Sequence, residues 1–195
     1  MDRMRLGVTL LLAATVAASL ATQSCTSGNV EATQAAAVDP VARGRYLVTI
    51  MSCNDCHTPG YFYGAPDTMR RLSGSDIGWV GPWGVVHARN LTPDSATGIG
   101  TWTKEQIVHT LRSGNTPDGR QLAAIMPWMN YADILDEGDA MAIAAYLKSL
   151  PPIVHKNLDV IPPGGKLTGA NVAFPPPPAW DGQHMAPPPA QAAAK

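Results

Sequence analysis

The sequence predicts an all-α domain built from about three main helices, with long ordered loops between them. Two observations carry this. Three segments place apolar residues at helical spacing between recognisable start and stop signals, and no segment shows strand alternation worth naming. The stretches between them are rich in breakers: the 195-residue chain holds 18 glycines and 18 prolines, and few regular elements tolerate so many.

The first helix opens at Asp39-Pro40. Aspartate suits an N-cap, and proline suits the first turn because its missing N–H has no helical partner there. Val41, Gly44, Val48 and Met51 then share one face, with Leu47 and Ile50 beside it. This helix runs directly into Cys53. From Thr58 to Thr101 regular structure is scarce, and a loop that long inside a compact domain is normally functional or wrapped around something. The second helix starts at Thr103, where Thr103 and Gln106 have capping-box spacing. Ile107, Val108 and Leu111 are its apolar residues, and Gly114 ends it. The third begins near Asp136, lines one face with Ala140, Ile143, Ala144 and Leu147, and stops at Pro151-Pro152.

The flanks differ in composition. Arg3 and Arg5 precede an uncharged, mostly apolar run from Leu6 to Leu20, the layout of a secretory signal over residues 1–24. The run is short for a spanning helix, which needs about 20 apolar residues; a retained anchor is the alternative. Cys25 stands where the signal should end and has the look of a lipoprotein cleavage site, with Ser24 suitable before it and Thr22 and Gln23 poor matches. Ordinary cleavage near Ala21 is the competing reading. Residues 25–38 read as a flexible tether, 39–160 as the folded domain, and 161–195 as a Pro/Ala-rich extended or disordered tail. A net charge of −1 gives no reason to expect a nucleic-acid partner.

Three cysteines, Cys25, Cys53 and Cys56, are too few and odd in number for a disulfide framework. Cys53-Asn54-Asp55-Cys56-His57 is a C-x-x-C-H pentapeptide, the pattern of covalent haem attachment. Two thiols add across the two haem vinyl groups, and the adjacent His57 falls beneath the iron as proximal ligand. A thioredoxin-like dithiol would need a βαβ context, and a zinc site a second ligand pair; neither is present in the sequence. For the sixth iron ligand the leading candidate is Met126, in the loop between the second and third helices, since a thioether favours ferrous iron. Met129 competes, core filling is the common role of methionine, and His87 or His109 would give bis-histidine ligation.

Further motifs stand in order along the chain: Gly44-Arg45-Tyr46-Leu47, the C-N-D-C-H pentapeptide, Asn90-Leu91-Thr92-Pro93-Asp94 followed by Thr97-Gly98-Ile99-Gly100 and Trp102, Met126-Pro127-Trp128 with Tyr131, and Ala144-Ala145-Tyr146-Leu147-Lys148-Ser149-Leu150-Pro151-Pro152. Together they resemble the class I cytochrome c domains of cytochrome subunits of alcohol, aldehyde and gluconate-type dehydrogenases, over roughly Val41 to Val154. The resemblance implies the class I cytochrome c fold, with first and last helices crossing near Gly44, Tyr46, Tyr146 and Leu147. It implies one haem c on Cys53 and Cys56, with His57 and Met126 as iron ligands. It implies that the Pro59 carbonyl accepts from the other imidazole nitrogen of His57, and that Asn90, Trp102 and Arg120 lie near the haem propionates. A Pro/Ala tail follows the single haem domain where those subunits often carry three such domains and an amphipathic anchor.

The expected function is one-electron transfer between a periplasmic dehydrogenase or cytochrome and a respiratory acceptor such as an oxidase, without catalysis of its own and with membrane attachment only through lipid on Cys25. A haem enzyme or gas sensor with an open sixth iron site is the alternative, and a tethered assembly protein with structural haem a third.

Overall fold

The computed structural model describes residues 39–174. The signal segment, the tether, Cys25 and the tail from residue 175 onward lie outside the described residues.

Helix α1 (Pro40–Ile50) starts as its sequence dictates, with the Asp39 carboxylate accepting from the Val41 N–H at 3.0 Å. It packs along α5 (Glu137–Ser149), which the Asp136 side chain caps. Leu47 and Val48 are buried against Ala140, Ala142, Ile143, Ala144 and Leu147, so small residues on one helix admit branched ones from the other. The closest approach is at Gly44. A Cβ there would overlap the Ala142 carbonyl and stand 2.7 Å from the Tyr146 Cβ. Arg43 adds a two-pronged ion pair to Asp139, with Nε and Nη2 both at 2.8 Å. Gly44, Tyr146 and Leu147 thus lie where the expected crossing puts them, but Tyr46 does not. Tyr46 is 54% exposed, with the Arg43 guanidinium over its ring, because its position on α1 faces away from α5.

Between these helices lie α2 (Cys53–His57), α3 (Lys104–Ser113) and α4 (Trp128–Ile134). In α3 the capping box forms in both directions, Gln106 N–H to Thr103 Oγ1 at 3.2 Å and Thr103 N–H to Gln106 Oε1 at 2.9 Å. Gly114 ends α3 in the left-handed region at φ +73°. Ile107 and Val108 join Tyr131, Leu135, Ile99 and Leu72 in the same core as α1 and α5. The short α4 occupies part of what the sequence presents as a loop; its N-cap is Pro127, which offers no side-chain acceptor.

The expectation of an all-α domain needs correction. Strands β1 (Gly78–Gly81) and β2 (Gly84–His87) form an antiparallel hairpin pairing Trp79 with Val86 and Val80 with Val85. A third strand, β3 (Asn171–Ala173), pairs in parallel with β1 on its other side, Gly78 opposite Asn171. The tail expected from residue 161 is therefore docked on the sheet as far as 174. Ile161 and Val85 exchange backbone hydrogen bonds at 2.8 and 3.0 Å, and the Phe174 N–H reaches the Val80 carbonyl. Phe174 then stacks on Trp79, with ring centroids 6.3 Å apart. Burial of Trp79 and Val85 by this returning chain supplies what proline-rich composition alone does not reveal.

Candidate cofactor site

Helix α1 ends at Met51, and the chain turns sharply at Ser52, whose φ of +56° is unusual for a residue with a side chain. The turn starts α2 at Cys53. Cys53 and Cys56 stand three residues apart on a helix, so both thiols share one face. Both are free. Burial pushes the Cys53 thiol up to about 11 and raises that of Cys56 as well, so both are neutral, unlike the thiolates of metal sites and redox dithiols. Asn54, between them, is buried and accepts from Arg71 Nε at 3.0 Å and Thr58 Oγ1 at 3.3 Å, which anchors α2 to the loop beyond.

His57 is buried. Its Nδ1 lies 2.7 Å from the Arg89 carbonyl, an acceptor only, so Nδ1 carries the proton and Nε2 keeps its lone pair. Burial lowers the pKa of the ring and favours the neutral form. Nε2 has no hydrogen bond among the described residues. A neutral imidazole fixed through one nitrogen and open at the other is the state a metal ligand requires.

That geometry corrects the expected role of Pro59. Its carbonyl accepts the Asp67 N–H at 2.9 Å and closes the 59–67 loop, while Arg89 takes the place beside His57. The chain before Asn90 is brought there by backbone bonds from Gly74 N–H to the His57 carbonyl and from Ser75 N–H to the Ala88 carbonyl.

Asn90 spends its side-chain amide within the protein. Its amide N–H groups donate to Ile153 O at 2.7 Å and Thr97 Oγ1 at 3.1 Å, and its Oδ1 accepts from the Thr92 N–H at 2.9 Å and Thr92 Oγ1 at 2.7 Å. Both donors are engaged and the residue is 1% exposed, leaving nothing for a propionate. Asn90 is a clamp that ties the 90–97 loop to the chain after α5. Asp94 tightens the same loop by accepting from the N–H groups of Ala96 and Thr97 and the hydroxyl of Thr97, which holds its carboxyl below the usual range. Lys148, on α5, donates to the carbonyls of Gly100 at 2.7 Å and Trp102 at 3.0 Å. Trp102 is thereby held against the core, partly buried, and its indole N–H makes no hydrogen bond among the described residues.

On the other side, Met126 lies in a tight turn, its N–H on the Ala123 carbonyl and its own carbonyl accepting from the Trp128 N–H. It is partly buried against the core, whereas Met129 is 49% exposed on α4. Trp128 packs over Gly114, and its indole N–H is buried without a partner among the described residues. His109 is exposed on α3; His87 is buried at the end of β2, with neither ring nitrogen hydrogen-bonded among the described residues. Arg120 holds Asp118 at 2.7 Å and is partly exposed.

Two neutral thiols on one helical face, an imidazole with a free lone pair and a thioether in a packed turn suit a covalently bound haem. Comparison with known proteins agrees: residues 41–151 match the cytochrome c family. The chain belongs to that family. The cytochrome carries haem c, held covalently through Cys53 and Cys56, and is an electron-transfer protein. Over 118 residues it is 36% identical to the fructose dehydrogenase cytochrome subunit of Gluconobacter japonicus, covering 60% of this chain and 23% of that one. It is 29% identical to the alcohol dehydrogenase (quinone) cytochrome c subunit of Gluconobacter oxydans, covering 60% and 23%. A diheme cytochrome c-type protein of Cereibacter sphaeroides is 39% identical, covering 57% and 36%. The cytochrome thus spans well under half the length of these relatives. Among the described residues no helix is long and apolar enough to cross a membrane.

Arg89 is a site feature that the sequence did not single out, and Lys148 and Trp128 stood in the ordered motifs without an assigned role. Arg89 contributes a backbone carbonyl, which every residue type possesses, so no sequence signal could have found it.

Proposed function

We propose that the chain is a one-electron carrier whose iron is held by His57 and Met126, passing electrons between a periplasmic dehydrogenase or another cytochrome and a respiratory acceptor. The observation that carries this reading is the His57 ring, fixed through Nδ1 on the Arg89 carbonyl with Nε2 open. Bound haem supplies a one-electron iron couple whose potential depends on its ligands, burial and hydrogen bonds. The protein's part is to hold both axial positions so that substrate has no access to the metal and nothing exchanges during electron transfer. Met126 is favoured over Met129 because it packs against the core in a turn fixed at both ends, and a ligand must be held before it binds. Trp102 and Arg120 retain side-chain donors suited to haem carboxylates. A dehydrogenase partner is supported by the relatives, which are cytochrome subunits of fructose and alcohol dehydrogenases. Export by residues 1–24 and lipid on Cys25 complete the proposal and place the carrier at the outer face of the membrane.

The test is the absorption spectrum of the purified oxidised protein. A weak far-red charge-transfer band from methionine sulfur on ferric haem is expected. A high-spin spectrum without that band would replace this reading with an enzyme or sensor whose sixth position is open.

A further inference from the structure

We propose that His87 is a proton-operated latch on the three-stranded sheet. While its ring is neutral the sheet holds the Arg89 carbonyl against His57, and proton uptake at His87 opens the sheet and loosens that hold. The consequence for the iron rests on the haem reading above, whereas the opening of the sheet does not.

The latch is built by strand register. His87 closes β2 opposite Gly78 of β1, and Gly78 lies in turn opposite Asn171 of β3. Opposed residues share a face of a sheet, as do alternate residues along a strand, so Val85, His87 and Asn171 stand on the face where Gly78 has no side chain. A Cβ at Gly78 would overlap the Asn171 amide oxygen and stand 2.6 Å from a Val85 methyl, so this face is closely packed. His87 is 5% exposed, and neither of its ring nitrogens has a hydrogen bond among the described residues. A neutral ring is tolerated in such a place. An imidazolium there is a buried charge with two donors and no acceptor to receive them.

The surrounding charges do not compensate. Burial is the main influence keeping the ring neutral, and Arg89, two residues along, opposes a second positive charge. Asp76, on the segment before β1, favours the proton, but it is 54% exposed and faces His155 Nε2 at 3.7 Å. Asp159, on the chain that returns after α5, acts on Arg89. The third strand, Asn171–Ala173, brings no charge.

Backbone bonds carry the effect in two directions. Outward, residues 161–174 hang on the hairpin through Val85 with Ile161, the Gly78 N–H on the Ala170 carbonyl at 2.9 Å, and the Phe174 N–H on the Val80 carbonyl at 3.0 Å. Inward, the Ala88 carbonyl accepts from the Ser75 N–H at 3.0 Å, and the next carbonyl, that of Arg89, fixes the His57 ring at 2.7 Å. A hydrogen bond to the far nitrogen of a ligating imidazole increases its basicity. Its loss and the new positive charge at His87 both favour ferrous iron, so the midpoint potential rises. A histidine pKa lowered by folding gives stability that is fully present above the ordinary value of about 6.5 and is lost as pH falls through the folded value.

The experiment is native-state hydrogen exchange on the holo protein, wild type against His87→Phe, from neutral pH into the acid range, with redox titration alongside. At the amides of Gly78, Val85, Ile161 and Phe174, wild type is expected to open more readily than His87→Phe, by a ratio that grows up to about tenfold per pH unit below about 6.5. The amides of α1 and α5 stay protected over that range, and the wild-type potential rises more than that of His87→Phe. A ratio that does not change with pH overturns the proposal, as does loss of helix and sheet protection together. Equal potentials in the two proteins across the range also overturn it. If His87→Phe does not load haem, His87→Leu takes its place. If neither variant loads, wild type decides alone: sheet amides that lose protection before the helices, with a one-proton slope, support the latch, and simultaneous loss overturns it. Absence of the far-red band in wild type at neutral pH would defeat the axial assignment and leave the exchange result standing, so the two failures are distinguishable.

Discussion

The side-chain amide of Asn90 donates to the carbonyl of Ile153 at 2.7 Å, joining the loop beside His57 to the chain that leaves α5. Four hydrogen bonds meet on this one buried side chain. Asn90→Ala leaves the Thr92 N–H without its acceptor in a dry environment and takes from the Ile153 carbonyl its shorter hydrogen bond, whereas the Thr97 hydroxyl keeps Asp94 and the His155 N–H. A buried polar group without a partner costs about 1–3 kcal/mol, so the substitution is expected to destabilise the holo protein by about 2–4 kcal/mol. Denaturant unfolding measures it, and a loss below about 0.5 kcal/mol would show that the clamp contributes little.

Gly44 is the point at which α1 and α5 touch. On helix propensity alone, Gly44→Ala should gain about 1 kcal/mol. The added Cβ would instead overlap the Ala142 carbonyl and crowd the Tyr146 Cβ at 2.7 Å, and neither can give way without parting the helices. Overpacking of this kind costs about 1–3 kcal/mol and occasionally more. The clash is expected to win, with a net loss of about 2 kcal/mol or more in chemical denaturation. A gain in stability would mean that α1 and α5 are not held this tightly.

Those two sites show what was readable in the sequence and what was not. Helix boundaries were legible where local chemistry writes them: Asp39-Pro40, the Thr103/Gln106 box, Gly114 and Asp136 all act within a turn of their own position. The C-N-D-C-H pentapeptide was legible for the same reason, as attachment chemistry needs two thiols and a histidine at fixed spacing. The sheet was not, because strands of three and four residues show little alternation, and Asn171–Ala173 finds its partner far away in sequence. Pro59 was placed near the right chemistry and given the wrong partner. Resemblance locates a residue, but only the three-dimensional arrangement shows which of its donors and acceptors are already taken.

The Arg43–Asp139 pair makes stability pH-dependent in a defined direction. Hydrogen bonding to Arg43 holds the Asp139 carboxyl below its ordinary range, with burial opposing and the Arg43 charge adding to it. A depressed folded-state pKa contributes stability that is fully present above the unfolded value, about 3.9. The contribution disappears as pH falls through the lower folded value. The stability difference between wild type and Asp139→Asn is therefore expected to be constant near neutrality and to shrink in acid. Both partners are partly exposed, so added salt should also reduce the difference. Unfolding curves for the two proteins across the acid range would show it, and a difference that grows in acid would have the wrong sign.

Met126 and Met129 can be separated by paired substitution. Both sulfurs lie in the segment that joins α3 to α5, but their settings differ: Met126 is in the turn bounded by Ala123 and Trp128, and Met129 is half-exposed on α4. If Met126 is the iron ligand, Met126→Ala removes the soft sulfur that favours ferrous iron. The expected results are loss of the far-red band, a lower potential, and carbon monoxide binding by the reduced protein. Met129→Ala should retain the band and shift the potential little, since its side chain has solvent on one side already. The reverse pattern would transfer the ligand role to Met129. Loss of the band in both would indicate that the Pro127-Trp128 turn, rather than either sulfur alone, determines whether the sixth position is filled. A stability measurement resolves that last case: Met126→Ala with wild-type unfolding free energy but no band identifies a lost ligand, not a collapsed turn.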